Sequence, residues 1–353
     1  MEREKRILFL QTAHFEKDDR VYYHQQQTLD AAGWICRIVS VYQKELNKRD
    51  LQKLVANEVR SFAPSVILCD TPVAVVTAKR ALRTTSVRCA VVYDVTEWYP
   101  SKKNLRNARV GFRTLKGVML AVLSVVAGCM TDAFLFGEEF KAKPFRLLFP
   151  WKKFMMLPYY PMLRYLHPRP AKALTGRPLR MFYAGQLTEE KGWHNVLNLT
   201  EKIAAAHAEW QFELTAVTDS RSKERPALPD NVTFVQKPYM PFEDFCSELG
   251  EHDIFLDLRK ADFENTRCLP IKLFYYMGTG RPVIYSPLKA IINGVPELAA
   301  EVCQSPEQRL TELLRQPERI TQEAERNEAL VASKYNWDIL ADRFVDFIET
   351  VAL

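Results

Sequence analysis

Two short stretches carry residues that could do chemistry. The first is Tyr183-Ala184-Gly185-Gln186-Leu187-Thr188-Glu189-Glu190-Lys191-Gly192. An apolar run, a glycine turn and a lysine ahead of a helix form a plausible phosphate cradle. The backbone can come close to a ligand at Gly185, Gln186 can donate hydrogen bonds, and Lys191 supplies a mobile positive charge. The second runs from Asp262 to Ser286, and within it Leu269-Pro270 places a proline where a helix can start, because its missing N–H would be unpaired there anyway. The turn Leu269-Pro270-Ile271 then offers free backbone N–H groups and the partial positive charge of a helix start to an anion, with Lys272 beside them. Leu273, Phe274 and Met277 recur at helical spacing, Gly278-Thr279-Gly280 stops the helix, and Pro282 to Tyr285 enters a strand. A lysine ahead of a helix is by itself an ordinary solvated side chain. The two segments together make anion binding the better reading.

The second segment resembles the donor-binding helix of family 4 glycosyltransferases, P-x-K-x-x-[E]-Y-M-x-x-G-x-P-V-I, in Pro270, Lys272, Tyr276, Met277, Gly280, Pro282, Val283 and Ile284. The first is similar to that family's G-R-x-x-x-x-K-G, with Lys191 matching and Gln186 replacing the arginine. The resemblance implies the two-domain GT-B fold and transfer of a sugar from a nucleotide-diphosphate donor, with no cofactor beyond the donor and no metal. Lys191 and Gln186 would then hold the diphosphate. The resemblance also implies retention of anomeric configuration, the leaving phosphate helping to deprotonate the acceptor hydroxyl. Charge reasoning agrees with the metal-free part: a departing diphosphate gains negative charge that a lysine and helix N-termini can stabilise, and no Asp-x-Asp triplet occurs in the chain.

Three positions depart from the family pattern. Gln186 cannot neutralise charge, the family's acidic residue falls on Tyr275, and its paired acid falls on Arg267. Glu264 is the nearest carboxylate that could stand in, and Tyr275 would meet the ribose. These departures keep two alternatives open: a nucleotide-sugar-binding GT-B partner protein with altered catalysis, and a GT-B nucleotide-sugar epimerase.

In the first half, Val92-Tyr93-Asp94-Val95-Thr96-Glu97-Trp98-Tyr99-Pro100 resembles the family's Y-D-x-H-E-x-x-P, with Thr96 in the histidine's place. Glu97 reads as a ligand for an acceptor or donor hydroxyl, or as a plain cap or salt-bridge carboxylate. The loop Phe15 to Arg20 resembles the acceptor-side loop in its Asp19-Arg20 pair, and Asp19 reads equally as a cap of the next helix. His14 is a candidate active-site histidine beside its reading as a bland loop residue.

The elements that must position these groups alternate. Arg6–Leu10, Trp34–Val41, Val66–Cys69, Cys89–Tyr93 and Ala133–Phe136 read as strands, with helices over about 20–32 and 46–61 and another starting at Thr71-Pro72. After a proline-rich, basic stretch over 158–177 that reads as a linker, the alternation restarts at Arg180–Tyr183 and continues with Gln211–Ala216, Asn231–Gln236, Ile254–Leu258 and Pro282–Tyr285. The fold class is therefore α/β, two tandem Rossmann-like doubly wound domains with ligands expected in the cleft between them. The expected boundaries are 1–165 for an acceptor-side domain, 166–335 for a nucleotide-sugar domain, and 336–353 for a C-terminal helix packing back on the first.

At 353 residues, 47% hydrophobic and 26% charged, the chain is long enough for two folded domains. The seven cysteines lack metal-ligand spacing and, most of them sitting in apolar runs, read as buried reduced thiols. The N-terminus reads as a strand rather than a signal peptide, and the longest apolar run, Gly117 to Met130, is shorter than the roughly 20 residues that span a bilayer. The expected setting is the cytoplasm, including the inner face of a membrane. Lys102, Lys103, Arg106, Arg109, Arg113 and Lys116 occur without an acid, and Lys141, Lys143, Arg146, Lys152 and Lys153 are mixed with Phe145, Phe149 and Trp151. Both stretches, 102–116 and 141–153, suit an anionic membrane surface or a lipid-linked glycan acceptor, and read otherwise as solvated faces. The bases follow no nucleic-acid module, so nucleic acid is not an expected partner.

Overall fold

The computed structural model describes residues 4–42, 44, 46–97, 99, 101–105, 108–168, 177–219 and 226–352. The chain divides into two compact units: Met1–Tyr159 with Ile339–Leu353, and Tyr160–Asp338. The division thus falls at Tyr159–Tyr160, where the sequence pointed to 165, and the last helix belongs to the first unit.

The first unit is built on strands β1 (Arg6–Gln11), β2 (Ile35–Ser40), β3 (Val66–Cys69), β4 (Ala90–Val95), β5 (Ala133–Phe136) and β6 (Lys153–Met156). All pair in parallel, in the order β2-β1-β3-β4-β5-β6. The near-continuous apolar runs of β1, β3 and β5 are buried on both faces, as a helix-covered parallel sheet requires. Helices start where side chains can satisfy their open N–H groups: Asn47 caps Lys48–Phe62, and Thr71, followed by Pro72, caps Pro72–Arg83. β6 was not expected. Its two outward residues, Lys153 and Phe154, end a basic stretch that reads as surface, and pairing with β5 decides its state.

The second unit carries β7 (Leu179–Ala184), β8 (Phe212–Thr218), β9 (Val232–Pro238), β10 (Ile254–Asp257) and β11 (Val283–Tyr285), parallel in the order β11-β10-β7-β8-β9. One face is filled by Met181, Trp193, Val196, Ile203 and Leu214, the other by Phe182, Phe255, Phe274, Tyr276 and Val283. The two tandem doubly wound sheets expected from the alternation are therefore present.

The stretch read as a linker is partly core. Met162 and Leu166 are buried, Tyr160 packs edge-on against Phe274 at 4.8 Å, and the Trp337 N–H donates to the Pro161 carbonyl at 2.7 Å. Its tyrosines and leucines bury area that its prolines and bases conceal in composition. Residues 169–176 of that stretch lie outside the described residues.

Candidate functional site

Each sheet has one point where strand order reverses, between β1 and β3 in the first unit and between β7 and β10 in the second. Crossovers leave in opposite directions there, so the loops after the two strands part and open a crevice at their carboxyl ends. The chemistry-bearing residues gather at these two points.

In the second unit, Gly185 follows β7 and the loop after β10 leads to the helix Ile271–Gly278. Lys272, in the first turn of that helix, turns its ammonium back to the Ala184 carbonyl. An added Cβ at Gly185 would lie 3.7 Å from Lys272 Nζ and 3.0 Å from the Tyr183 hydroxyl oxygen, so a side chain there would intrude on both groups. The corner holding Lys191 is fixed from several sides. Tyr183 donates to the carbonyls of Gln186 (2.7 Å) and Lys191 (3.2 Å). Asn265 donates to the Glu190 carbonyl at 3.1 Å, and Lys260 pairs with Glu189 at 2.5 Å. Gly192 has φ +81° and presses on the Leu258 carbonyl, which any Cβ would overlap. The loop after β10 and the turn after β7 are thus one rigid piece.

The electrostatics favour an anion. Burial lowers Lys272 from the ordinary lysine value to about 8, with Arg259 and Lys191 pushing the same way against Asp257 and Asp219. Lys191 itself is half-buried and pairs with Glu190 at 3.3 Å, a contact of little energetic weight. Arg259 is held by Asp257 through Nε at 3.0 Å.

In the first unit, His14 follows β1 and Asp70 follows β3, and His14 Nδ1 lies 3.0 Å from Asp70 Oδ2. Asp70 is buried and fixed by the N–H groups of Thr12 (2.9 Å) and Ala13 (2.9 Å). Burial alone would lower the imidazole. The Asp70 hydrogen bond and the charges of Asp18, Asp70 and Glu97 outweigh it and hold His14 at about 9. Burial, with Asp19 beside it, pushes Asp18 up to about 7. Glu97 is partly exposed on the loop after β4, and that loop is pinned by Lys141 donating to the Thr96 carbonyl at 2.5 Å.

The structure therefore brings Gly185, Lys191 and Lys272 together, and separately His14 and Glu97. Gln186 is exposed, its amide donating to Asp219 at 3.3 Å. Pro270 caps the helix, with Leu269 partly buried before it and Ile271 exposed at its start. Glu264 lies in a turn organised by Asp262, and Arg267 folds back over the Phe263 ring at 4.0 Å.

Several expectations need correction. Arg20 is not a ligand for an acceptor: it is 4% exposed, clamped bidentately by Asp94 (2.7 and 2.9 Å) and donates to the Leu157 carbonyl at 3.0 Å. Asp18 shares the capping of the next helix with Asp19, both accepting from the Arg20 N–H. Tyr275 is 3% exposed, its ring edge-on to Phe242 at 5.8 Å, so it has almost no surface to offer a ribose. Lys141 is buried, and Lys152 donates to the carbonyls of Gly128 and Cys129 at 2.8 Å, so both serve the unit rather than its surface. Phe145 and Phe149 are core residues, which leaves Trp151 as the exposed aromatic of that stretch. Trp98 and Pro100, Arg106 and the side chains of Lys102 and Lys103 lie outside the described residues.

Asp70, Asp18, Asp257, Arg259 and Asp219 were missed. The readable signal was a polar residue directly after an apolar strand. It gains meaning only from the strand order.

The overall architecture matches many solved structures. Sucrose-phosphate synthase from Thermosynechococcus elongatus superposes with a TM-score of 0.68 at 13% identity, covering 99% of both chains. Anabaena Alr3699/HepE, solved with UDP and glucose, gives 0.63 at 12% identity, covering 98% of this chain and 100% of that one. WaaG, a glycosyltransferase involved in lipopolysaccharide biosynthesis, gives 0.65 at 12% identity, covering 97% and 99%. These likenesses establish the GT-B fold. No sequence-family profile and no curated protein matches the chain.

Proposed function

We propose that this chain is a glycosyltransferase that takes a sugar from a nucleotide-diphosphate donor held by the second unit. The observation that carries the reading is the meeting of Gly185, Lys191 and Lys272 at the reversal between β7 and β10. A diphosphate fits there for a physical reason: it is the anion that would repay the cost of holding two ammonium groups close together. In the reaction the bond between the sugar's anomeric carbon and the diphosphate oxygen breaks, and one to an acceptor hydroxyl oxygen forms. The leaving diphosphate takes up the charge beside Lys191, Lys272 and the amides at the start of Ile271–Gly278, and receives the acceptor's proton in a retaining, metal-independent course. The His14–Asp70 pair and Glu97, facing the carboxyl end of the first sheet, suit a polyhydroxyl acceptor.

The acceptor we favour is a lipid-linked glycan met at an anionic membrane surface, in the cytoplasm. The helix Arg113–Met130 supports this. It packs on Pro72–Arg83 and its buried residues are small, Gly117, Ser124, Ala127 and Gly128, while Phe112, Leu115, Val118, Met119 and Val122 are 55–63% exposed. By length and composition it could cross a membrane, which the shorter apolar run in the sequence did not suggest. Docked along one face, it suits lying in an interface instead. Arg109 and Arg113 are exposed at its start, and no acid occurs between Lys102 and Met130. An acid-free, cationic and apolar surface complements anionic lipid.

Thermal denaturation with nucleoside diphosphates and nucleotide sugars tests the reading, UDP and UDP-glucose first. A ligand at about a hundredfold excess over Kd should add ~2.7 kcal/mol of stability, and Lys191→Ala should remove the shift. Absence of any shift with all nucleotides rejects the reading. With a donor that binds, release of free sugar marks a transferase, an isomerised donor an epimerase, and an unchanged donor a binding protein.

A further inference from the structure

We infer that Arg259 is the guanidinium that grips the donor's diphosphate, supplying the charge that Gln186 lacks. This rests on the nucleotide-sugar reading and deepens it. Gln186 is neutral and its amide is turned to the Asp219 carboxylate at 3.3 Å, so it neither carries charge nor faces an anion freely. Arg259 stands across the same reversal of strand order, two residues beyond the end of β10. Its backbone N lies against Gly192, next to Lys191, which places its base within the rigid corner. The side chain is 17% exposed and is anchored at one end only, by Asp257 Oδ1 on Nε at 3.0 Å. Nη2 is buried and makes no hydrogen bond among the described residues. The charge acts on Lys272 and Tyr276 of the helix Ile271–Gly278 and on Tyr183 of β7.

A planar guanidinium whose Nε is fixed on Asp257 keeps Nη1 and the unpaired Nη2 for two parallel hydrogen bonds to phosphate oxygens, a grip that an ammonium cannot make. Asp257 then acts as a positioning residue that sets the plane. Lys191, Lys272 and Arg259 thus stand together in the corner, with Asp257 and Asp219 as the carboxylates that act on Lys272.

The test is isothermal titration of the full chain with UDP, UMP and uridine, in wild type, Arg259→Lys, Arg259→Gln and the double variant Arg259→Gln/Gln186→Arg. We expect Arg259→Gln to weaken UDP binding tenfold or more and uridine binding by less than twofold. Arg259→Lys should fall between, and Gln186→Arg should recover part of the loss. A purely structural arginine would lower the melting temperature of both substitutions and leave the UDP-to-uridine ratio of affinities unchanged, and that outcome overturns the inference. Should wild type bind neither UDP nor the diphosphate of any other nucleoside, the donor reading itself fails, a result distinct from UDP binding that ignores residue 259. Melting curves identify any variant that does not fold, for which Arg259→Lys carries the decision.

Discussion

Lys272 holds its charge against burial, and that sets a pH dependence. Its folded value of about 8 lies below that of a free lysine. The group's contribution to stability is therefore present above the unfolded value and is lost as pH falls through about 8. A bound diphosphate reverses the preference, because it stabilises the ammonium. Nucleoside diphosphate binding should take up protons between about pH 8 and 10 and weaken up to tenfold per pH unit above about 8. Calorimetry in buffers of different ionisation heat measures the uptake, and Lys272→Met should abolish it; binding without proton uptake near pH 9 would count against the site. His14, held at about 9, has the opposite sense. Its stabilisation is complete below about 6.5 and disappears as pH rises through about 9, with a slope of up to ~1.4 kcal/mol per pH unit. Asp18, raised to about 7 by burial and by Asp19, moves the same way, its contribution being lost as pH rises through about 7. His14→Gln should destabilise the protein at pH 6 and leave it nearly unchanged at pH 10; equal destabilisation at both would show that packing, not charge, is lost. The lysines of the donor site were readable because turn, base and helix start are contiguous in sequence. Arg20 and Tyr275 were misread because their directions are set by distant partners, Asp94 for one and the apolar core around Phe242 for the other. Asp70 and Arg259 could not be assigned to a site from the sequence, since nothing local says which strand lies beside which.

Among the elements, the helix Arg113–Met130 is built in reverse of a surface helix, with small residues inward and large apolar ones outward. Gly128 lets Phe149 approach so closely that a Cβ would overlap the ring, and Lys152 caps the final carbonyls. Leu147 (81% exposed) and Trp151 (74%) follow on the segment that packs there, extending the apolar face. Inserting one such side chain is worth ~1.5–3 kcal/mol when fully buried, and each nearby base adds about 1 kcal/mol on an anionic surface. Phosphatidylglycerol vesicles should therefore sediment the protein, phosphatidylcholine vesicles much less. Met119→Glu with Val122→Glu should release it at unchanged melting temperature, because both side chains are already solvent-exposed. Equal sedimentation of the double variant would rule out this face. Alternation of apolar runs and helical spacing disclosed every strand but β6 and β6 alone, whose Lys153 and exposed Phe154 look like surface until β5 is placed beside them. The sequence did mark the helix as apolar. It did not say which of its faces would be covered.

At the scale of the whole molecule, the chain leaves the first unit at Tyr159, builds all of the second, and returns at Ile339. The first unit's fold is thus closed by residues far along the chain from its sheet. Two polar contacts tie the returning helix Asp338–Ala352 down, Lys5 to Glu349 at 2.6 Å and Lys153 to the Thr350 carbonyl at 2.9 Å. Both are exposed and of small weight. The attachment rests instead on Leu340, Phe344 and Ile348, which repeat every four residues along one face and are 0–6% exposed. Truncating a fully buried phenylalanine costs ~3–5 kcal/mol. That loss falls on one unit, since the helix belongs to the first and the donor corner lies within the second. Phe344→Ala should accelerate amide exchange in β1, β3 and β4 while β7, β8 and β10 keep their protection, and UDP should still protect the loops at Gly185 and Arg259. Uniform acceleration in both sheets would mean that the two units share their stability, and the division at Tyr159 and Ile339 would then be one of geometry alone.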